Sequence, residues 1–159
     1  AGLNNVTTQT YQQVGNKARI PIASQINILA QARYYTTSGD LVGRGPIPPT
    51  VDKETKYMVY IQIKNGSNAL KNSSFHTSLP AGVEYTDRDG VTIGPNLKYN
   101  KQTGQLNWQY SDQIPANSTV GIYFEVKVKP NTSQIGKKIN LTNTLTFSSI
   151  DVLVNKKIS

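Results

Sequence analysis

Apolar and polar residues alternate strictly along the run 119–130, where Ile122, Phe124, Val126 and Val128 take one side and Tyr123, Glu125, Lys127 and Lys129 the other. A period of two is that of a β-strand with one buried face. That face has to be covered by a second layer, and no stretch of the chain carries the period of a helix that could cover it. The pattern therefore specifies an all-β fold, two antiparallel sheets packed as a β-sandwich.

The same period recurs upstream. In the run 57–65, Tyr57, Val59, Ile61 and Ile63 face inward, opposite Met58, Tyr60, Gln62 and Lys64. The region 19–35 gives two strand-like pieces, the second with Ile26, Ile28, Ala30, Ala32 and Tyr34 on one face. Between these runs Gly39, Gly43, Gly45, Pro46, Pro48 and Pro49 impose a loop with a stiff proline segment. Further strands are predicted at 70–79, 83–85, 97–99, 106–110, 138–147 and 150–154, with turns at Asn65-Gly66-Ser67-Asn68 and Pro80-Ala81-Gly82 and a loop at 87–94. Turns at this spacing are those of a sandwich. Residues 1–17 are polar and without a sustained period, so they are expected to form an arm or linker ahead of a domain at 18–159.

A chain of 159 residues is long enough for one domain with a real core, and its 36% hydrophobic content sits largely in the alternating runs. No apolar stretch is long enough to suggest a membrane span. The absence of cysteine removes disulfides, thiolate metal sites and cysteine nucleophiles together. The chain opens at Ala1 with neither an initiator Met nor an apolar leader, as a processed secreted protein or a trimmed piece would. Its net charge of +8 comes from lysines expected on solvated strand faces and turns, without the interleaved aromatics or motif of a nucleic-acid binder. A field of that sign also favours anionic wall polymers or acidic glycans.

Chemistry-bearing patterns are sparse. Asp87-Arg88-Asp89-Gly90 resembles the opening of a calcium loop, but Val91 and Lys98 stand where further ligands belong, which leaves an ordinary Asp/Gly turn and no metal site. His76 is the only histidine, and no nucleophile-elbow motif accompanies it. The carboxylates are too scattered for a paired acid/base mechanism, so neither enzymatic activity nor a cofactor is expected.

Alternation places Asn143 inward with Ile139, Leu141, Leu145 and Phe147, and a buried amide has to be hydrogen-bonded, which predicts an asparagine tying a neighbouring loop. A Lys–Asn crosslink of the kind some sandwich adhesins form would need an inward lysine beside an inward carboxylate. Lys64, Lys127 and Lys129 all face outward in this reading. Asn-x-Ser/Thr triplets at Asn5, Asn65, Asn72, Asn117, Asn131 and Asn140 are glycosylation acceptors on the condition that the host modifies that motif.

The segment 33–147 resembles the conserved-repeat domain of unknown function found in bacterial and archaeal cell-surface proteins, most closely a variant from small-genome uncultivated bacteria. The residues that carry the resemblance are Ala32-Arg33-Tyr34-Tyr35, Gly39-Asp40, Gly45-Pro46-Ile47-Pro48-Pro49, Thr55-Lys56-Tyr57, Asn65, Asn68-Ala69-Leu70, Leu79-Pro80-Ala81-Gly82-Val83, Tyr99-Asn100, Gly104-Gln105-Leu106-Asn107-Trp108, Pro130 and Gln134-Ile135-Gly136. Their order is more specific than any one of them.

The resemblance implies an immunoglobulin-like sandwich, secreted to the cell surface, with no catalytic residues to carry over. One copy of the module with an added arm leaves two settings open, a fragment of an adhesin or the subunit of a fibre or surface layer. The resulting expectation is a noncatalytic extracellular structural or adhesive module. Its partners would be other surface proteins, copies of itself, or anionic or glycan polymers, with Tyr60, Tyr123 and the proline-rich loop as contact points. The rival expectation is a carbohydrate-binding module of a wall-associated protein, which would display Trp108 beside Tyr110 rather than bury it.

Overall fold

The structure, a computed structural model, describes residues 20–159. The arm at 1–17, its boundary with the domain, and Asn5 lie outside the described residues. Among the described residues nine strands form two antiparallel sheets: β1 (Ile26–Arg33), β2 (Thr55–Asn65), β3 (Leu70–Ser78), β4 (Val83–Val91), β5 (Lys98–Asn100), β6 (Gln105–Tyr110), β7 (Thr119–Val128), β8 (Thr146–Asp151) and β9 (Lys156–Ile158). The first sheet has the order β1-β2-β7-β4, the second β5-β6-β3-β8-β9. The chain passes repeatedly from one sheet to the other, so neither can bury its apolar face without its partner.

The inward rows meet as alternation requires. Val59, Ile61 and Ile63 of β2 and Val120, Ile122, Phe124, Val126 and Val128 of β7 pack with Leu70 and Phe75 of β3, Leu106 and Trp108 of β6 and Phe147 of β8. Trp108 is 1% exposed and stacks on Tyr110 at 5.9 Å between ring centroids. Its indole Nε1 is buried with no hydrogen-bond partner among the described residues. The tryptophan is thus spent on joining the sheets.

One end of the sandwich is closed by a buried polar cluster. Asp151, 0% exposed, accepts from Ser24 N at 2.7 Å, Asn68 Nδ2 at 2.8 Å, Leu153 N at 2.9 Å and Val154 N at 3.2 Å. Burial opposes ionisation of this carboxyl, but the four donors outweigh it and hold the group below its ordinary value. Asn65, also buried, accepts from Ser24 Oγ and donates to Asn68 O and Pro115 O. These bonds join the entry to β1, the β2–β3 turn and the end of β8.

Five sequence expectations need correction; the first is the strand at 150–154, since β8 ends at Asp151 and residues 152–155 turn into β9. The run 138–147 is not a strand: residues 137–145 form a strap whose Ile139, Leu141 and Leu145 rest against the core, and pairing begins only at Thr146. Asn143 is accordingly exposed rather than inward, although it does tie the strap down, its N and Nδ2 donating to Ser78 O and Oγ at 2.8 and 2.9 Å. The first piece of 19–35 gives no strand over its described residues, 20–25. Finally, the strand expected at 83–85 continues as β4 to Val91, absorbing Asp87 at a register shift between Tyr85 and Asp89, with Asp87 at φ 61°. A bulge of this kind admits a turn-like sequence inside a strand.

Candidate binding face

Residues directly opposite in an antiparallel ladder share a face, so the register of the first sheet assembles its outer surface row by row. One row runs Gln31, Tyr60, Tyr123, Gly90 across all four strands. The next rows on either side are Leu29, Gln62, Gly121 and Arg33, Met58, Glu125. Alternation in β2 and β7 had assigned Tyr60 and Tyr123 to this side, and the ladder brings them together.

The two tyrosine rings lie 6.2 Å apart with 34° between their planes. The Arg33 guanidinium sits over the Tyr60 ring at 5.3 Å, a cation–π contact, and Gln31 Oε1 orients it by accepting from Nε at 3.2 Å and Nη2 at 2.7 Å. Tyr123 lies across Gly90, where a Cβ would collide with its hydroxyl end. It is 39% exposed, and Leu29, two strands away, 46%. Beside Gly121, over which the Thr92 side chain packs, lies a recess of about 240 Å³ between Leu29, Gln31, Arg33, Tyr60, Tyr123 and Thr92.

Below the aromatic row lies a charged group that alternation misjudged. Glu125 faces outward as read, yet is only 4% exposed, as is Met58 beside it at 2%. The Glu125 carboxylate accepts from Thr86 Oγ1 at 2.7 Å and Arg88 Nη1 at 3.3 Å and has Lys56 Nζ at 3.7 Å. Lys127 stands directly opposite Lys56, a like-charge pair offset by Glu54 and Glu84, 3.1 and 3.3 Å from Lys127 Nζ. Those two carboxylates raise the Lys127 pKa. Long side chains lying over the sheet produce this burial, and periodicity carries no signal for it.

The other candidate residues serve the fold. Asp89 Oδ1 accepts from the Tyr85 hydroxyl at 2.8 Å and Oδ2 from Leu97 N at 3.0 Å, so both carboxylate oxygens fasten the bulge and the following loop. Burial, the bond to Asp89 and the charges of Asp89 and Asp87 push the Tyr85 hydroxyl well above its ordinary range. His76 Nδ1 lies 2.6 Å from Asn107 Oδ1 on the outer face of the second sheet. Lys64 and Lys127 lie on the outer face of the first sheet, as read.

Of the conditional glycosylation residues, Asn72, Asn117, Asn131 and Asn140 are exposed. Asn65 does not fit that expectation, because its amide is buried and bonded on both sides. The proline-rich loop, with a cis Ile47–Pro48 bond, borders a groove of about 650 Å³ together with Ala30, Ala32, Tyr57 and residues 134–142.

Among the described residues no group of three or more His, Cys, Asp or Glu side chains could hold a metal ion, and no helix is long and apolar enough to cross a membrane. Comparison of the chain with protein-family models finds no matching family, and none of the curated proteins matches it.

Proposed function

We propose that this chain is a noncatalytic extracellular structural or adhesive module with an immunoglobulin-like sandwich, working at a cell surface through its outer faces. The observation that carries this reading is the division of labour among its polar side chains. The carboxylates most able to do chemistry are occupied in holding the fold: Asp151 at the closed end, Asp89 at the bulge, and Glu125 under Arg88 and Lys56. The first sheet meanwhile presents Tyr60, Tyr123 and Arg33 on its outer face. Contact, rather than turnover, is what such an arrangement supports.

Burial of Trp108 favours the structural module over a carbohydrate-binding module built on a tryptophan platform. The surface setting rests on the sequence resemblance to cell-surface repeat domains. Its test is antibody labelling of intact, unpermeabilised cells of the source organism. A module of this kind is labelled without permeabilisation; labelling that requires lysis contradicts the proposal.

A further inference from the structure

Within the adhesive reading, we infer that the recess at Tyr60, Tyr123 and Arg33 is a binding site for a neutral oligosaccharide, stacking a pyranose ring on Tyr123. Tyr123 is held by its contact with Gly90: its hydroxyl end lies against the strand at a point where any larger residue would displace it. The ring remains 39% exposed while being supported from below. A supported, partly exposed ring offers an apolar surface without the cost of ordering it on binding.

Polar groups converge on the same point. Gln31 fixes the Arg33 guanidinium through Nε and Nη2, which leaves Nη1 to donate to a ligand hydroxyl. Gln62 lines the recess beside Gly121, its amide able both to donate and to accept. Apolar stacking surface combined with a few oriented polar groups is the chemistry that recognises a sugar ring, one face of which is C–H and the periphery hydroxyl.

Charge and size favour a small neutral ligand over a phosphate backbone. Lys56, Arg88 and Lys127 on this face each lie within 4.0 Å of a carboxylate, which leaves Arg33 and Lys64 as its cations without an ion pair among the described residues, fewer than the row of uncompensated cations that a phosphate backbone requires. The aromatic patch is bounded by the row Asn27, Lys64, Thr119 on one side and by the Glu125 and Lys127 clusters on the other. The recess between such borders, about 240 Å³, lies just below the roughly 300–1,000 Å³ of a small-molecule pocket, which suits a ligand of one or two rings.

The test is NMR titration of the ¹⁵N-labelled full chain with cellohexaose, N-acetylchitohexaose and a galacto-oligosaccharide, with a sulfated heparin oligosaccharide as the charged comparison. The site predicts shifts at the amides of Arg33, Gly90, Gly121 and Tyr123 with at least one neutral probe, in the millimolar to high-micromolar range. Tyr123→Ser should weaken that binding at least about tenfold. Gly90→Ala, which keeps the tyrosine but displaces its ring, should weaken it in the same direction, with the spectrum of each variant showing an intact fold. Three results would overturn the inference: no neutral probe shifting these amides, shifts unaffected by Tyr123→Ser, or binding of the sulfated probe alone with a steep salt dependence. Surface labelling of intact cells is independent of all three, so loss of this site and loss of the surface assignment are separately visible.

Discussion

Gly90 of β4 stands directly opposite Tyr123 of β7, and the tyrosine ring lies against it where a methyl group would collide. One Gly90 α-proton therefore points at the ring and should resonate upfield of its geminal partner. In Tyr123→Ser the difference between the two protons should collapse. Gly90→Ala should keep the fold, because the obstructing atoms are the far end of a side chain that can rotate, and should change stability by no more than about 1 kcal/mol. A larger loss would mean that the ring cannot move aside.

Trp108 joins the two sheets at 1% exposure, so Trp108→Ala should cost about 3–5 kcal/mol in chemical denaturation. Trp108→Phe should cost less, about 1–2 kcal/mol. The replacement removes the indole N–H, which has no partner among the described residues, and this offsets part of the lost packing. Equal costs for the two variants would contradict that account of the N–H.

Acid should destabilise the closed end of the sandwich through Asp151. Its carboxyl has an ordinary value of 3.8 and a lower one in the folded state. The unfolded chain therefore takes up a proton first as pH falls. The stabilisation is complete above pH 3.8 and is lost as pH drops from there through the depressed folded value. Asp151→Asn should cost about 1.5–3 kcal/mol at neutral pH and flatten the denaturation midpoint across that acid range. A variant with the same acid slope as the parent would show that another carboxyl governs it.

Asn65 should carry no glycan in the folded, secreted fraction from a host that modifies Asn-x-Ser/Thr, because its amide is spent on Ser24, Asn68 and Pro115. Exposed Asn72 and Asn117, both in the left-handed region at φ 49° and 54°, are open to modification. Site-resolved mass spectrometry checks this, and a glycan at Asn65 on folded material would contradict the burial.

The two-sheet architecture was legible because every inward position of β2 from Val59 to Ile63 and of β7 from Val120 to Val128 is apolar. Alternation also put Tyr60 and Tyr123 on the outer face, but only the register places them opposite each other, with Gly90 beside Tyr123 and Gln31 beside Tyr60. Three features were not readable, each for a physical reason. Ile139, Leu141 and Leu145 alternate as a strand would, yet they pack as a strap along the side of the core, because periodicity records burial and not pairing. Asp87 looks like a turn and is a bulge, since a single residue at positive φ serves either. Glu125 and Met58 face outward and are buried, covered in a way that depends on three-dimensional neighbours.

The most direct test of the surface-contact account compares retention of three proteins on isolated cell envelopes of the source organism: the parent, Tyr60→Ser/Tyr123→Ser, and His76→Ala/Asn107→Ala, which alters the outer face of the opposite sheet. The tyrosine pair contributes roughly 0.2–1 kcal/mol as a cross-strand contact, so all three should fold. The account predicts that the parent and the opposite-face variant are retained while the tyrosine variant is not. Equal retention of all three, or loss confined to the opposite-face variant, would contradict it.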